Sequence, residues 1–189
     1  MKTEFEKLRA RELTDTSDKE LRERLISAKR KQTLFNQSYF GSNNYRELLE
    51  ELLPNIPASS IVSPPFYCDY GDGIILGENV FINSNCSFLD GGFITIGKHT
   101  LVGPNVQIYT PHHPLDYLSR RETKETSYPV TIGEDCWIGG GTIICPGVTI
   151  GDRVVIGAGS VVVKDIASDS VAVGNPAKVV RKTQKKEAK

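Results

Sequence analysis

The 189-residue sequence has no excess of charge: 23 lysines and arginines stand against 23 aspartates and glutamates. Broad nucleic-acid binding needs a basic face, so that balance argues against it. No stretch of eighteen residues is uniformly apolar, so no membrane span is expected. The first residues also lack the pattern of a secretory signal. Cysteine is scarce, and Cys68, Cys86, Cys136 and Cys145 show neither C-x-x-C nor metal-type spacing. Cys86 and Cys136 read as packed thiols of a cytoplasmic protein, and Cys145 as a turn or face residue. There are only three histidines, His99, His112 and His113. No Ser/His/Asp set and no phosphate-loop signature is present.

Against these absences stands a repeat. From Leu76 onward an aliphatic or aromatic residue recurs every sixth position. Leu76, Ile82 and Phe88 form one run; Ile96, Val102 and Ile108 form a second. The longest is Ile132, Ile138, Ile144, Ile150, Ile156 and Val162. Glycine often follows directly, as at Gly77, Gly97, Gly103, Gly133, Gly139, Gly151 and Gly157. Small or β-branched residues sit four positions on, such as Cys86, Thr100, Val106, Cys136 and Ser160. This is the hexapeptide period of a parallel β-helix. Each hexad supplies a short strand and a turn, three hexads close a triangular coil, and stacked coils bury a common row. Glycine at the corner is expected to supply a conformation that a Cβ would obstruct.

The breaks in phase carry the function. Two residues are inserted near Asp90, Gly91 and Gly92. Residues 111–129 lack the repeat altogether yet return in register, so they are expected to form a protruding loop, where function concentrates. Ahead of the repeat, residues 4–13, 18–35 and 44–53 favour helix, with Thr14 to Asp18 as capping residues and Pro54 as a stop. The expected organisation is a helical cap over residues 1–57 and a β-helix with a C-terminal extension over 58–189. After Gly174, Asn175 and Pro176 the chain turns basic, with Lys178, Arg181, Lys182, Lys185, Lys186 and Lys189.

An imidazole is the usual base near neutral pH, and His112 and His113 lie in the repeat-free segment. Adjacent histidines on an extended segment point to opposite sides, and His99 is remote, so a three-histidine metal site would be strained. No metal is expected.

Longer motifs narrow the reading. They include Pro64-Pro65-Phe66 with Asp69-Tyr70-Gly71, Asn83-Ser84-Asn85, and Tyr109-Thr110-Pro111-His112-His113-Pro114. They continue with Trp137-Ile138-Gly139-Gly140, Pro146-Gly147-Val148-Thr149-Ile150-Gly151-Asp152 and Gly174-Asn175-Pro176. With the helical cap, these make the sequence resemble the maltose and galactoside O-acetyltransferases almost end to end. The resemblance implies a left-handed β-helix, a homotrimer with sites between subunits, and direct acetyl transfer from acetyl-CoA to a sugar hydroxyl. It implies that His113 is the base and that Asn83 helps stabilise the transition state and binds acceptor. It places Asp15, Asp69 and Arg24 on acceptor-binding positions. Gly91 falls where the galactoside branch has an acidic contact, which Asp90 beside it would replace. For acetyl-CoA the matching positions are Gly140, Ala158, Val163, Lys164, Lys178 and Arg181. Lys178 stands where Arg is common, keeping the charge and losing the bidentate fork. Trp137 is expected to wall a groove or to pack.

Other readings stay open on the residues alone. They are a non-sugar acceptor such as a drug, a nodulation-type oligosaccharide or amino sugar as acceptor, a non-catalytic β-helical scaffold, and a metal enzyme of the carbonic-anhydrase type.

Overall fold

The structure, a computed structural model, describes residues 2–183; Lys185, Lys186 and Lys189 of the basic tail lie outside them. From Ile61 the chain winds as a left-handed parallel β-helix, against the usual right-handed crossover. The first face stacks Ile74–Leu76, Ile94–Ile96, Val130–Ile132 and Thr149–Ile150. The second stacks Ile61–Val62, Phe81–Ile82, Leu101–Val102, Trp137–Ile138, Val155–Ile156 and Ser170–Val173, and Lys178–Lys182 closes it antiparallel. The third stacks Phe66–Cys68, Cys86–Leu89, Gln107–Tyr109, Ile143–Ile144 and Val161–Val162. Ile132 pairs with Ile150, Ile138 with Ile156, and Ile144 with Val162, so three hexads make one coil.

All twelve sixth-position residues are buried, Leu76 being the most accessible at 5%. Thr100, Thr142 and Ser160 are buried too, each with its hydroxyl donating to a glycine carbonyl. The role expected of the hexad glycines needs correction. None of them has positive φ; that conformation falls two residues later, at Asn79, Asn85, His99, Asn105, Asp135, Gly141, Arg153 and Gly159 among others. The glycines are instead needed for close stacking. A Cβ on Gly97 would stand 2.5 Å from the carbonyl carbon of Gly133, and one on Gly139 2.5 Å from the amide nitrogen of Ala158. His99 is thereby explained as a corner residue with φ of 59°.

Three helices precede the coil: α1 (Glu4–Arg9), α2 (Lys19–Asn36) and α3 (Tyr45–Leu52). Thr3 and Glu6 form a capping box on α1, and the Asp18 carboxylate caps α2 by accepting from the Glu20 and Leu21 amides. A solenoid end exposes unpaired backbone groups, and these helices supply partners for them. The Asn36 amide accepts from Phe66 N–H at 2.8 Å and donates to Phe66 C=O at 3.0 Å, as a neighbouring strand would. Gln32 accepts from Cys68 N–H, and the Tyr45 hydroxyl exchanges hydrogen bonds with both backbone groups of Val62. Phe35, Tyr45, Leu49 and Leu52 fill the space above the first coil.

Residues 111–129 are more ordered than a loop. Pro111–His112 and Lys124–Ser127 pair antiparallel, and Thr14–Asp15 of the cap joins the outer edge of Lys124–Ser127. The excursion is a short ribbon fastened to the cap.

Candidate active site

That ribbon brings the histidines to the cap. His112 pairs with Thr126, Thr14 with Glu125 and Asp15 with Lys124. His113, one residue past the ladder, turns Nδ1 toward the Lys124 carbonyl at 3.4 Å. A carbonyl oxygen only accepts, so this contact favours the tautomer with hydrogen on Nδ1 and leaves the lone pair on Nε2. Nε2 stands 3.9 Å from Glu125 Oε2. His112 lies elsewhere, its ring edge-on to Tyr128 at 5.5 Å.

Glu125 lines a cleft of about 290 Å³ between α2 and the solenoid, with Thr16, Leu21, Arg22, Leu25, Asp69 and Tyr70. The Glu125 carboxyl is pushed above its ordinary range by burial; the His113 charge pulls it back and Asp69 adds to the rise. Asp69 takes an ion pair from Lys29 at 3.3 Å. Burial raises the Tyr70 phenol, whose ring meets Phe5 edge-on at 5.8 Å. Asp15 sits beside the cleft, accepting from Ser17 N–H at 2.9 Å, Ser17 Oγ at 2.7 Å and Thr123 Oγ1 at 2.9 Å. Those donors, Ser17 first, hold its carboxyl below the usual value.

Three expected acceptor positions are engaged within the chain. Asp90 has no accessible surface. Its two oxygens accept from the amides of Asp69, Tyr70, Gly71 and Gly73, and Arg9 lies alongside at 3.9 Å. It is a structural tie holding the Asp69–Tyr70 segment, with no lone pair turned outward. Gly91 is buried, and a Cβ there would stand 2.5 Å from Ser127 Oγ. Arg24 pairs with Glu20 at 2.9 Å, stacks 4.0 Å over Phe5, and borders a separate hollow with Lys31, Glu51 and Asp72. Arg22 borders the cleft instead, because two residues along a helix turn the side chain by roughly 200°.

The remaining positions divide between two edges of the prism. Asn83, Gly140 and Ala158 follow second-face strands and lie on the edge leading to the third face. The Asn83 Oδ1 accepts from Ser84 N–H at 2.8 Å, which turns its NH₂ away from the backbone. Small residues recur along this edge; a Cβ on Gly140 would press on Pro104 O at 3.1 Å. His113, Val163 and Lys164 leave the other edge of the third face. Lys178 and Arg181 are exposed on the closing strand of the second face, and Trp137 is 57% exposed beside the Gly140 edge. A face of about five residues at about 3.3 Å each spans roughly 16 Å, so Asn83 and His113 of one chain do not meet at one reacting atom.

Sequence reasoning missed Glu125 and Arg22, and treated Tyr70 only as part of a motif. The one signal for Glu125 was its place in the repeat-free stretch, because Lys124-Glu125-Thr126-Ser127 is polar throughout and shows no strand alternation.

The hexapeptide geometry has a counterpart among known proteins. The family described as bacterial transferase hexapeptide (six repeats) matches residues 129–164. A maltose O-acetyltransferase from Clostridium difficile 630 superposes with a TM-score of 0.94 at 43% identity, covering 97% of this chain and 99% of its own. The chain belongs to the maltose and galactoside O-acetyltransferase family. A Vibrio cholerae hexapeptide-repeat acetyltransferase in complex with acetyl-CoA matches at TM-score 0.90 and 38% identity, covering 97% and 100%. A galactoside acetyltransferase in complex with coenzyme A matches at 0.91 and 36%, covering 97% and 92%. As a member of this family the chain is an acetyltransferase. Among the described residues, no helix is long and apolar enough to cross a membrane, and no group of three or more His, Cys, Asp or Glu is placed to hold a metal ion.

Proposed function

We propose that this protein transfers acetyl directly from acetyl-CoA to a hydroxyl of a sugar or glycoside, with His113 as general base. The observation that carries the reading is His113 itself. Its Nδ1 faces a backbone carbonyl and its Nε2 turns toward a polar cleft holding Asp69 and Glu125. The maltose and galactoside relatives favour a sugar acceptor, and the carboxylates suit a ligand rich in hydroxyl donors. Asp15 and Asp69 are the acceptor-binding carboxylates of this reading.

Nε2 takes the proton as the acceptor oxygen attacks the thioester carbonyl. The new C–O bond forms, the C–S bond breaks, and the departing thiolate takes the proton back from His113. The outward NH₂ of Asn83 donates to the developing oxyanion. Gly140 and Ala158 leave room for a slender pantetheine arm, Val163 offers backbone, and Lys164, Lys178 and Arg181 meet phosphates. With Asn83 and His113 on different prism edges, a complete site takes one from each of two neighbouring copies, which supports a homotrimer. The buried, unpaired Cys68, Cys86 and Cys136 suit the cytoplasm.

The test is release of CoA thiol by purified protein given glucose, maltose and simple galactosides, with His113→Ala in parallel. Acceptor-dependent release that falls by about 10²–10⁴ in the variant is expected. Equal release by both proteins rejects His113 as base. Release that ignores every sugar rejects the acceptor class.

A further inference from the structure

Glu125 is the carboxylate in the cleft whose hydrogen-bonding needs the described residues leave unmet. Its side chain is 17% exposed. Among the described residues no donor reaches its carboxylate within hydrogen-bond distance; its one ion-pair contact is His113 Nε2 at 3.9 Å. Its neighbours are already engaged: Asp69 with Lys29, Asp15 with Ser17 and Thr123, Asp90 with four backbone amides. A largely desolvated carboxylate without donors is costly, and the cost is removed when a ligand supplies them. Glu125 is also held in place. Its strand is paired on both sides, to Thr14–Asp15 and to Pro111–His112, and Thr14 opposite it is fully buried.

We propose that Glu125 is a specificity-determining residue that binds the acceptor, taking a hydrogen bond from the hydroxyl neighbouring the one that His113 deprotonates. This rests on the sugar-acceptor reading above. Two hydrogen bonds of about 2.8 Å, anchored 3.9 Å apart on Nε2 and Oε2, are spaced for two oxygens on adjoining carbons of one molecule. One hydroxyl is then aimed at the base while its neighbour is fixed by a charged acceptor. The substrate class is a vicinal or near-vicinal diol, as in a pyranoside, and a simple primary alcohol lacks the second handle. Binding through two adjacent oxygens also selects which hydroxyl is acetylated.

The experiment compares the full chain with Glu125→Gln and Glu125→Ala, using acetyl-CoA, a methyl hexopyranoside and its singly deoxygenated analogues. The conservative Gln keeps an accepting oxygen and the strand geometry, and thermal melting checks that all three proteins are folded. For Glu125→Ala, acceptor kcat/KM is expected to fall about 10- to 150-fold, the range for a hydrogen bond to a charged group. The fall is carried mainly by acceptor KM, acetyl-CoA KM stays within about twofold, and Gln recovers part of the loss. One deoxy analogue is expected to lose a similar factor with the natural protein and nothing further with Glu125→Ala, because the bond is already gone. If every analogue loses the same factor in both proteins, or only kcat changes, Glu125 acts on His113 or on the fold and the proposal is overturned. Natural protein that acetylates the glycoside as well as Glu125→Ala does keeps the sugar reading and removes this one. Failure of the natural protein on all glycosides removes both.

Discussion

At the scale of single residues, the same side-chain type takes opposite roles according to what surrounds it. Asp90 and Glu125 are both acids drawn out of water, and burial raises both. Asp90 is answered by four amides and Arg9, so its charge organises the Asp69–Tyr70 segment from behind. Asp90→Ala would leave four backbone amides without their acceptor, while Arg9 keeps its ion pair with Asp72. It is expected to cost about 3 kcal/mol in chemical denaturation, the upper end for buried donors left unmet, with acceptor binding lost at lower denaturant than the solenoid itself. A loss below 1 kcal/mol would show that water replaces the carboxylate. Asn83→Ala tests the oxyanion role separately: about 3 kcal/mol in kcat, a factor near 10², is expected if its amide donates to the transition state. A loss under tenfold would leave Asn83 only a positioning part.

At the scale of elements, the hexad separates two backbone demands that look alike in sequence. Close stacking falls on the glycine after the aliphatic residue, and the left-handed corner falls two residues later. Gly97→Ala puts a methyl against the backbone of the next coil, so it should lower stability by about 1–3 kcal/mol, the usual cost of overpacking. Asn79→Gly, at a corner with φ of 57°, should be near neutral or stabilising. Paired denaturation curves decide the point, and equal effects would refute the separation. The ribbon of residues 111–129 depends on a different contact, the joint of Asp15 with Thr123 and of Thr16 N–H with Thr123 C=O at 2.7 Å. The Asp15 carboxyl is held below its ordinary value near 3.8. Its contribution is therefore fully present above that value and is lost as pH falls through the lower folded value. Protection of the Thr16 amide against hydrogen exchange, taken relative to the intrinsic rate at each pH, should hold at neutral pH and fall only below about pH 4. Protection already lost well above that pH would refute the role of Asp15.

At the scale of the whole molecule, the Asn83 edge and the His113 edge flank the third face. On the proposed function, each prism would offer two half-sites, and a groove between two copies would unite them. Light scattering should give about three times the 20.9 kDa chain mass. A stricter test mixes two inactive proteins, His113→Ala and Asn83→Ala, unfolds them together and refolds them. If the base and the amide come from different copies, mixed trimers contain intact sites and activity returns. Activity that stays absent while mixed trimers form would place both residues in one chain.

The period of six was enough to dictate the coil. With three hexads to a coil, Ile132, Ile138 and Ile144 turn inward on successive faces, and each buried aliphatic side chain contributes about 1.5–3 kcal/mol to keeping that register; the left hand of the winding came from the family resemblance and not from the period. The helices of the cap were legible in the same local way, from the capping residues Thr14 to Asp18 and the spacing of Tyr45, Leu49 and Leu52. The motif around His113 pointed to the excursion where the cleft is found, because the break in the repeat is itself a local signal. The partners of the acids were not legible. Asp90 meets Arg9 from 81 residues away, Asp15 meets Thr123 from 108, and Arg22 lines the cleft while Arg24 lines the neighbouring hollow. Local sequence sets backbone form through sterics and periodic burial. Which carboxylate is satisfied and which stays open is decided by contacts between distant segments, and these exist only once the cap, the ribbon and the coil have packed together.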